Sequence, residues 1–326
     1  MENTLVAAYS ADDKYAHYLG IAMKSLVDSQ SEFDSIHVIV MDCGISDDNK
    51  QRLESIANDA GSEITFVDMR NQLKNLNLNL GDREWFVAAY ARLFLADIVP
   101  EKYDRVLYCD CDTIVKGSLK GLWDIEFKDE LIAGVQDTVD KYFLKVIGLQ
   151  AGVKYINTGV LLVNLKAWRE ENIKEEFKEI IKRFNGNVPH HDQGIINCAS
   201  QSRRVIVPIK YNLTSNNYSF DAETVRKIYF LDEYYSQEEV DDAIANPVIV
   251  HYTTGLLGRP WEEGSAHPER EAFWQTVKKT PWKEMKMLPD SRKASLKAFT
   301  FVFEHIPKGL FIFLYRRASF LLHLKK

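Results

Sequence analysis

Asp110 and Asp112 are separated by one residue and follow the apolar run Arg105–Cys109. In an extended chain alternate residues share a side, so the two carboxylates converge while Cys109 and Cys111 face the other way. Two unpaired carboxylates held together repel each other. A divalent cation that prefers hard oxygen ligands removes that cost, and its remaining charge recruits a diphosphate. A lone D-x-D string is also what a pair of solvated loop acids looks like, so the elements around it must decide.

Those elements alternate. A short apolar run at 5–8 reads as a strand, and Leu19, Ala22, Met23, Leu26 and Val27 then recur at helical spacing over 15–29. A second buried strand spans 36–41. Ser46 caps a helix with apolar Leu53, Ile56 and Ala57, and Gly61 stops it. A third strand covers 63–67, a helix covers 85–96, and the strand Arg105–Cys109 runs straight into Asp110. Further along come a buried strand at 160–164, a helix at 167–184 and a short helix or turn at 192–199. Strands alternating with helices predict an α/β protein with a mostly parallel central sheet. Ligands of such sheets bind beyond the carboxyl ends of the strands, where Asp12, Asp13, Asp110 and Asp112 all fall.

A chain of 326 residues accommodates one enlarged α/β domain with an appendage. The net charge of -6 argues against a nucleic-acid partner, which needs a basic footprint. Cys43, Cys109, Cys111 and Cys198 form no CxxC pair and read as reduced thiols. The first eight residues carry an acid, Glu2, and no basic segment, so they do not read as a signal peptide, and a cytoplasmic protein is expected.

The surrounding blocks are AYSADDKYAHYLG, YARLFLADIVP, RVLYCDCDTIVKGSL, YINTGVLLVNLKAWR, HHDQGIINC, YNLTSNNYSF and HYTTGLLGRPW. In this order they resemble glycosyltransferase family eight, in particular bacterial lipopolysaccharide α-galactosyltransferases and glycogenin-like nucleotide-sugar transferases. The resemblance runs from about residue 5 to 261. It implies a GT-A-type, single Rossmann-like domain over 1–261 and a retaining hexosyltransferase that moves galactose or glucose from a UDP-sugar onto a glycan, glycolipid or glycoprotein. It places Ser10, Ala11 and Asp12 at the nucleobase, Arg92 on the donor, and Asp110, Asp112 and His251 as the ligands of Mn²⁺, or of Mg²⁺, with Cys111 between them at the nucleotide. Gly255 and Arg259 would close over the diphosphate, although the family usually has Lys where Arg259 stands. Asp137, Asn157, Asp192 and Gln193 fall around the donor sugar, with Asp192 and Gln193 at the reacting carbon. Asp192 is the better base or stabiliser of the two.

Several residues have plainer readings. Asp12 can cap the helix at 15–29, Asn157 can be a turn residue before Thr158-Gly159, and Asp192 can cap the helix it starts. His190 and His191 read as solvated loop residues. The string VLYCDCDTIV also fits the D-x-D-x-T motif of haloacid-dehalogenase-type phosphatases, with Asp110 as nucleophile. In that fold the motif sits on the first core strand, whereas here three β/α units precede it. A non-catalytic sugar-binding or membrane-scaffold domain is a third possibility, against which the intact acids argue.

The extension 262–326 is expected to be helical and different in kind. From 292 to 326 there are eight Lys or Arg and one acid, a net charge of +7 against -13 for the rest of the chain. Phe299, Phe301, Phe303, Phe311, Phe313, Tyr315 and Phe320 are interleaved with these cations. The longest apolar stretch, 309–315, is far short of the roughly 20 residues that span a bilayer. A basic, aromatic segment suits an anionic membrane surface, which predicts a peripheral location on the inner face of the membrane; docking onto the catalytic domain is the alternative.

Overall fold

Among the described residues ten strands arrange into two sheets: β1 Thr4–Ala11, β2 Ser35–Asp42, β3 Glu63–Asp68, β4 Arg105–Cys109, β5 Thr113–Val115, β6 Ile132–Gln136, β7 Ile156–Asn164, β8 Arg204–Ile206, β9 Leu213–Thr214 and β10 Ile249–His251. They are seen in a computed structural model that describes residues 3–74, 81–150 and 152–323. The larger sheet has the order β3-β2-β1-β4-β7-β6-β8 and the smaller one β5-β10-β9. In the larger sheet β3, β2, β1 and β4 are parallel, and β8 is parallel to β6. β7 runs antiparallel to both of its neighbours. The expected mostly parallel α/β sheet is therefore present, with one reversed strand, β7, in its interior.

Both faces of this sheet are buried, which is why β1 and β2 read as continuous apolar runs rather than as alternating ones. Leu5, Ala7, Tyr9 and Ala11 of β1 point into one core cluster together with Leu19, Ala22, Met23 and Leu26 of helix α1 (Ala16–Ser29). Val6 and Ala8 point into the other cluster, with Ile39 and Met41 of β2. Each fully buried large side chain, such as Leu5, Val6 or Leu26, contributes about 1.5–3 kcal/mol. Helix α2 (Asp47–Asp59) starts where Ser46 accepts from the Asn49 N–H, carries Asp47 and Asp48 against its N-terminal dipole, and is followed by Gly61 at φ 64°.

Three elements differ from the sequence reading. The helix expected over 167–184 is two, Leu165–Glu170 and Ile173–Arg183, because Asn172 takes the left-handed conformation at φ 50° between them. The helix expected over 85–96 is wound as 3₁₀ turns over Gly81–Phe94 before Leu95–Ile98 continues as α. Residues 157–159 are not a turn. They lie inside β7, which starts at Ile156, where Gln136 of β6 pairs with it, while Asp110 donates its N–H to the Gly159 carbonyl.

The site is positioned by a change of sheet. β4 ends at Cys109 in the large sheet, and β5 begins at Thr113 in the small one, antiparallel to β10. Asp110, Cys111 and Asp112 make the crossing. The Asp110 N–H is bound to Gly159 O at 2.7 Å, and the Asp112 carbonyl accepts from Tyr252 N at 2.8 Å, so each end of the crossing is anchored in a different sheet. The extended conformation expected for 108–112 is thus replaced by a turn after Cys109, since the chain must leave one ladder to enter the other.

Helix α3 (His191–Ser200) ends its first turn near β7, and helix α4 (Ala222–Ile228) forms a small separate cluster with the C-terminal hairpin of α5 (Ala294–His305) and α6 (Lys308–His323). Phe311 is buried against Phe220, Val225, Ile228 and Leu256. Lys308 pairs with Asp221, and Arg292 donates to the Leu256 carbonyl. Phe301, Val302, Leu310, Phe313 and Leu314 of the same hairpin are exposed. Between hairpin and core, Phe273 and Val277 of the helix Arg270–Val277 belong to the cluster that contains α1. No helix among the described residues is long and apolar enough to cross a membrane.

Candidate active site

Asp110, Asp112 and His251 meet at the seam between the sheets. One ligand atom from each lies within 4.8 Å of the other two. His251 Nε2 is 3.1 Å from Asp112 Oδ1 and 3.9 Å from Asp110 Oδ2. Space for this meeting exists because β7 presents Gly159 beneath it. A Cβ at 159 would lie 2.7 Å from Asp110 Oδ2 and closer still to His251 Cε1. Burial alone pushes the Asp112 carboxyl up, but the His251 ring and the Arg259 guanidinium outweigh it and hold it at about 2. For His251 burial works against protonation, and the two carboxylates reverse that, so its pKa is raised. Two carboxylates and an imidazole around one point are a donor set suited to a divalent cation, so these residues fit a resident metal.

Arg92 joins this point to a second one. Its Nη2 is 2.7 Å from Asp110 Oδ1, its Nε is 3.1 Å from Asp192 Oδ2, and its Nη1 donates to Thr158 O at 2.6 Å. The guanidinium is buried and lies 4.2 Å from the centre of the Tyr108 ring. Tyr108 in turn donates its hydroxyl to Asp110 Oδ1 at 2.9 Å. Asp192, in the first turn of α3, is almost fully buried. Burial raises its pKa to about 6, with Asp110 adding to the rise and Arg92 opposing it.

A third group lies along β7. Gln193 Nε2 donates to Asp137 Oδ2 at 2.9 Å, and Asn157 Nδ2 donates to the same oxygen at 3.2 Å. Gln193 Oε1 accepts from the Thr158 N–H at 3.0 Å. His190 is exposed, as expected of a loop residue, whereas His191 is half-buried and begins α3. Both have left-handed backbones, at φ 58° and 54°, His190 stacks on Phe143 at 3.8 Å, and His191 contacts the Tyr90 hydroxyl at 3.2 Å.

The remaining expected residues surround the seam. Ser10 donates to Ala88 O and lies 3.4 Å from the Tyr108 hydroxyl, while Cys111 directs its thiol at Ser10 O, 3.2 Å away. Ala11 is buried at the end of β1, and Asp12 accepts the Tyr15 N–H at 3.0 Å, which closes a turn ahead of α1 rather than capping it, since Tyr15 itself holds the N-cap position without a side-chain bond. Arg259 Nη2 is 3.4 Å from Asp112 Oδ2 and stacks over Trp261 at 5.3 Å. Gly255 lies in the loop before it, 3.4 Å by its added Cβ from Ser215. Two contributors escaped the sequence reading. Gly159 looked like half of a turn, and Asn212, which contacts His251 Nδ1 at 2.9 Å, was hidden in the YNLTS block.

A mostly parallel sheet with one reversed strand, carrying an Asp-Asp-His cluster where β4 ends, is the architecture of a glycosyltransferase of the GT-A type. The sequence profile described as Glycosyl transferase family 8 matches residues 6–264, and the chain belongs to that family. It is 28% identical over 298 residues to a lipopolysaccharide 1,3-galactosyltransferase of Salmonella typhimurium, covering 86% of this chain and 80% of that one. It is 26% identical over 275 residues to general stress protein A of Bacillus subtilis, covering 83% and 92% respectively. Among solved structures, the galactosyltransferase LgtC in complex with donor and acceptor sugar analogs superposes with a TM-score of 0.71 at 26% identity, over 85% of this chain and 96% of that one. The chain is thus a glycosyltransferase. The phosphatase reading fails on the fold, because Asp110 follows the fourth strand and shares its site with His251 and Asp192.

Proposed function

We propose that this enzyme transfers a hexose, galactose or glucose, from a UDP-hexose to a glycan or glycolipid acceptor with retention of anomeric configuration. The observation that carries this reading is the Arg92 guanidinium, shared between Asp110 of the metal-type cluster and Asp192 beside Gln193 and Asp137. It sets a diphosphate-binding point and a sugar-binding point side by side.

Asp110, Asp112 and His251 would hold Mn²⁺, or Mg²⁺ in its place. When bound, that ion supplies Lewis-acid neutralisation of the charge that develops on the departing diphosphate. The chain's own residues do the rest. Arg259, within reach of Asp112, provides a second cation for the diphosphate oxygens and can bind them through two N–H groups. Ser10, Ala11 and Asp12 line the end of β1 where a uracil would stack, with Asp12 able to accept from its imide N–H. Asp137, Asn157 and Gln193 hold one another through fixed hydrogen bonds and offer their remaining polar valences to sugar hydroxyls. Gln193 is a poor nucleophile, so a front-face displacement is favoured, in which the acceptor oxygen attacks on the side the diphosphate leaves. Asp192, as a carboxylate, stabilises the positive charge that builds on the sugar ring.

The test is UDP release from a panel of nucleotide sugars without acceptor. Release from UDP-galactose or UDP-glucose with Mn²⁺, and its loss on chelation, is the expected result. Undiminished release in chelator contradicts the metal assignment.

We further propose that the hairpin of α5 and α6 rests on an anionic membrane at the inner face. One side of it is committed through Phe311 to the small cluster of Phe220, Val225, Ile228 and Leu256, and the other leaves Phe301, Leu310, Phe313 and Leu314 exposed near Arg316 and Arg317. Rings of this kind bury among headgroups while the cations meet lipid phosphate. Sedimentation with vesicles of increasing anionic content should carry the full-length protein down, less so at high salt, whereas Phe313→Ser/Leu314→Ser should stay in solution. Indifference of the full-length protein to vesicles ends this proposal.

A further inference from the structure

Asn212 is completely buried between the metal-type cluster and the sugar-side residues, and its amide touches both. Its Oδ1 is 2.9 Å from His251 Nδ1, and its Nδ2 is 2.9 Å from Asn157 Oδ1. The direction of these bonds follows from the backbone. The Gly159 N–H can only donate, and it lies 3.0 Å from Asn157 Oδ1, so that atom is the carbonyl oxygen. An oxygen facing Asn212 requires the NH₂ of Asn212 on that side. The Asn212 carbonyl therefore faces His251, and His251 Nδ1 must bear a proton. The far end is fixed in the same way. The Thr158 N–H donates to Gln193 Oε1, which turns the Gln193 NH₂ onto Asp137, where it meets the Asn157 NH₂.

We propose that Asn212 is a positioning residue that locks His251 in the Nδ1–H tautomer, frees Nε2 for a divalent cation, and couples that ring to the sugar-side residues Asn157 and Asp137. The proposal rests on the metal reading of Asp110, Asp112 and His251. Free neutral histidine favours the opposite, Nε2–H tautomer, so the lock has work to do against an intrinsic preference. The two adjacent N–H groups of β7 at Thr158 and Gly159 orient two amides, and through them two functional points share one rigid frame. A ligand histidine held through its other ring nitrogen is better oriented and more basic, and loss of such a partner typically weakens metal binding by about 10- to 100-fold.

Two substitutions separate orientation from packing. Asn212→Leu keeps the number and branching of side-chain heavy atoms and removes both bonds. Asn212→Asp keeps an acceptor for His251 Nδ1 but sets a carboxylate oxygen against Asn157 Oδ1. Mn²⁺ binding in the absence of sugar donor, read from the free-ion signal in electron paramagnetic resonance, should weaken about 10- to 100-fold in Asn212→Leu. It should stay within a few-fold of wild type in Asn212→Asp. UDP-hexose turnover should fall in both, because Asn157 loses its partner in either case. Equal Mn²⁺ affinity in wild type and Asn212→Leu, or equal losses in the two variants, overturns the proposal. The tautomer is read in the unsubstituted protein, without metal, from ¹⁵N-histidine correlation spectra at a pH where the His251 ring is neutral. An Nδ1–H ring is expected there, and an Nε2–H ring refutes the lock even if Asn212→Leu does not fold. Absence of Mn²⁺ binding by wild type, with an Nδ1–H ring present, would instead count against the metal reading alone.

Discussion

The Arg92 guanidinium donates to Asp110 at 2.7 Å from within the core, and its Nε lies 3.1 Å from Asp192. One buried cation thus serves two acids that belong to different elements.

Removal of that cation leaves both carboxylates underbalanced. Arg92→Met should cost about 3–5 kcal/mol of stability, the range for breaking a buried ion pair from one side. It should also raise the Asp192 pKa above its value of about 6, because Arg92 is what opposes burial there. Urea denaturation gives the first quantity, and a loss below about 1 kcal/mol would show the pair to be effectively solvated. Arg92→Lys restores the charge but not the reach to both acids, so it should recover only part of the stability.

Asp112 is tied to His251 and Arg259, which gives its carboxylate a stabilising role even without metal. Its folded-state pKa of about 2 lies below the unfolded value of 3.8. The stabilisation is therefore fully present above pH 3.8 and is lost as the pH falls towards 2. Asp112→Asn should abolish UDP-hexose turnover and lower the metal-free melting temperature at pH 7. An unchanged or raised melting temperature would mean that charge repulsion with Asp110 dominates instead.

Asp192→Asn should reduce kcat far more than it weakens UDP binding, because the partner proposed for Asp192 is the sugar, and its link to the metal-type cluster runs through Arg92. Calorimetric titration with UDP alongside steady-state rates separates the two. Parallel losses of affinity and rate would move Asp192 to the nucleotide.

His267 offers a pH test away from the site. It is buried between the Tyr218 and Tyr252 rings, each 4.9 Å away, accepts the Glu269 N–H at Nδ1, and has no partner for Nε2 among the described residues. Burial lowers its pKa to about 4 from 6.5. Between those values the unfolded chain binds the proton and the folded one does not, so stability is full above pH 6.5 and falls as the pH drops towards 4. The loss reaches about 3 kcal/mol. Melting temperature against pH should show this slope in wild type and a shallower one in His267→Gln. Identical slopes would assign the acid sensitivity to other groups.

Local pattern made much of the fold legible. The Ser46 cap, the Gly61 stop and the Asn-Gly-free apolar runs of β1 and β2 depend only on neighbours in sequence, and they fall within a few residues of where periodicity places them. What the periodicity does not contain is pairing. Nothing in Ile156–Asn164 marks it as the reversed strand, and Asn157, Thr158 and Gly159 carry turn propensity that the ladders to β4 and β6 override. The small sheet is equally hidden, since β5, β9 and β10 have two or three residues each and form only across long separations. Asp110, Asp112 and His251 were legible through their motif blocks. Asn212 was not, because a buried amide announces itself only through the partners that satisfy it.

Gly159 gives a way of sorting genomes. Chains that keep both acids of the D-x-D pair but carry any side chain at the position of Gly159 have filled the space into which His251 and Asp110 lean. Such copies are expected to be pseudoenzymes whose sugar-binding loops outlast their chemistry, and one residue on a central strand, remote in sequence from the motif usually inspected, is enough to flag them.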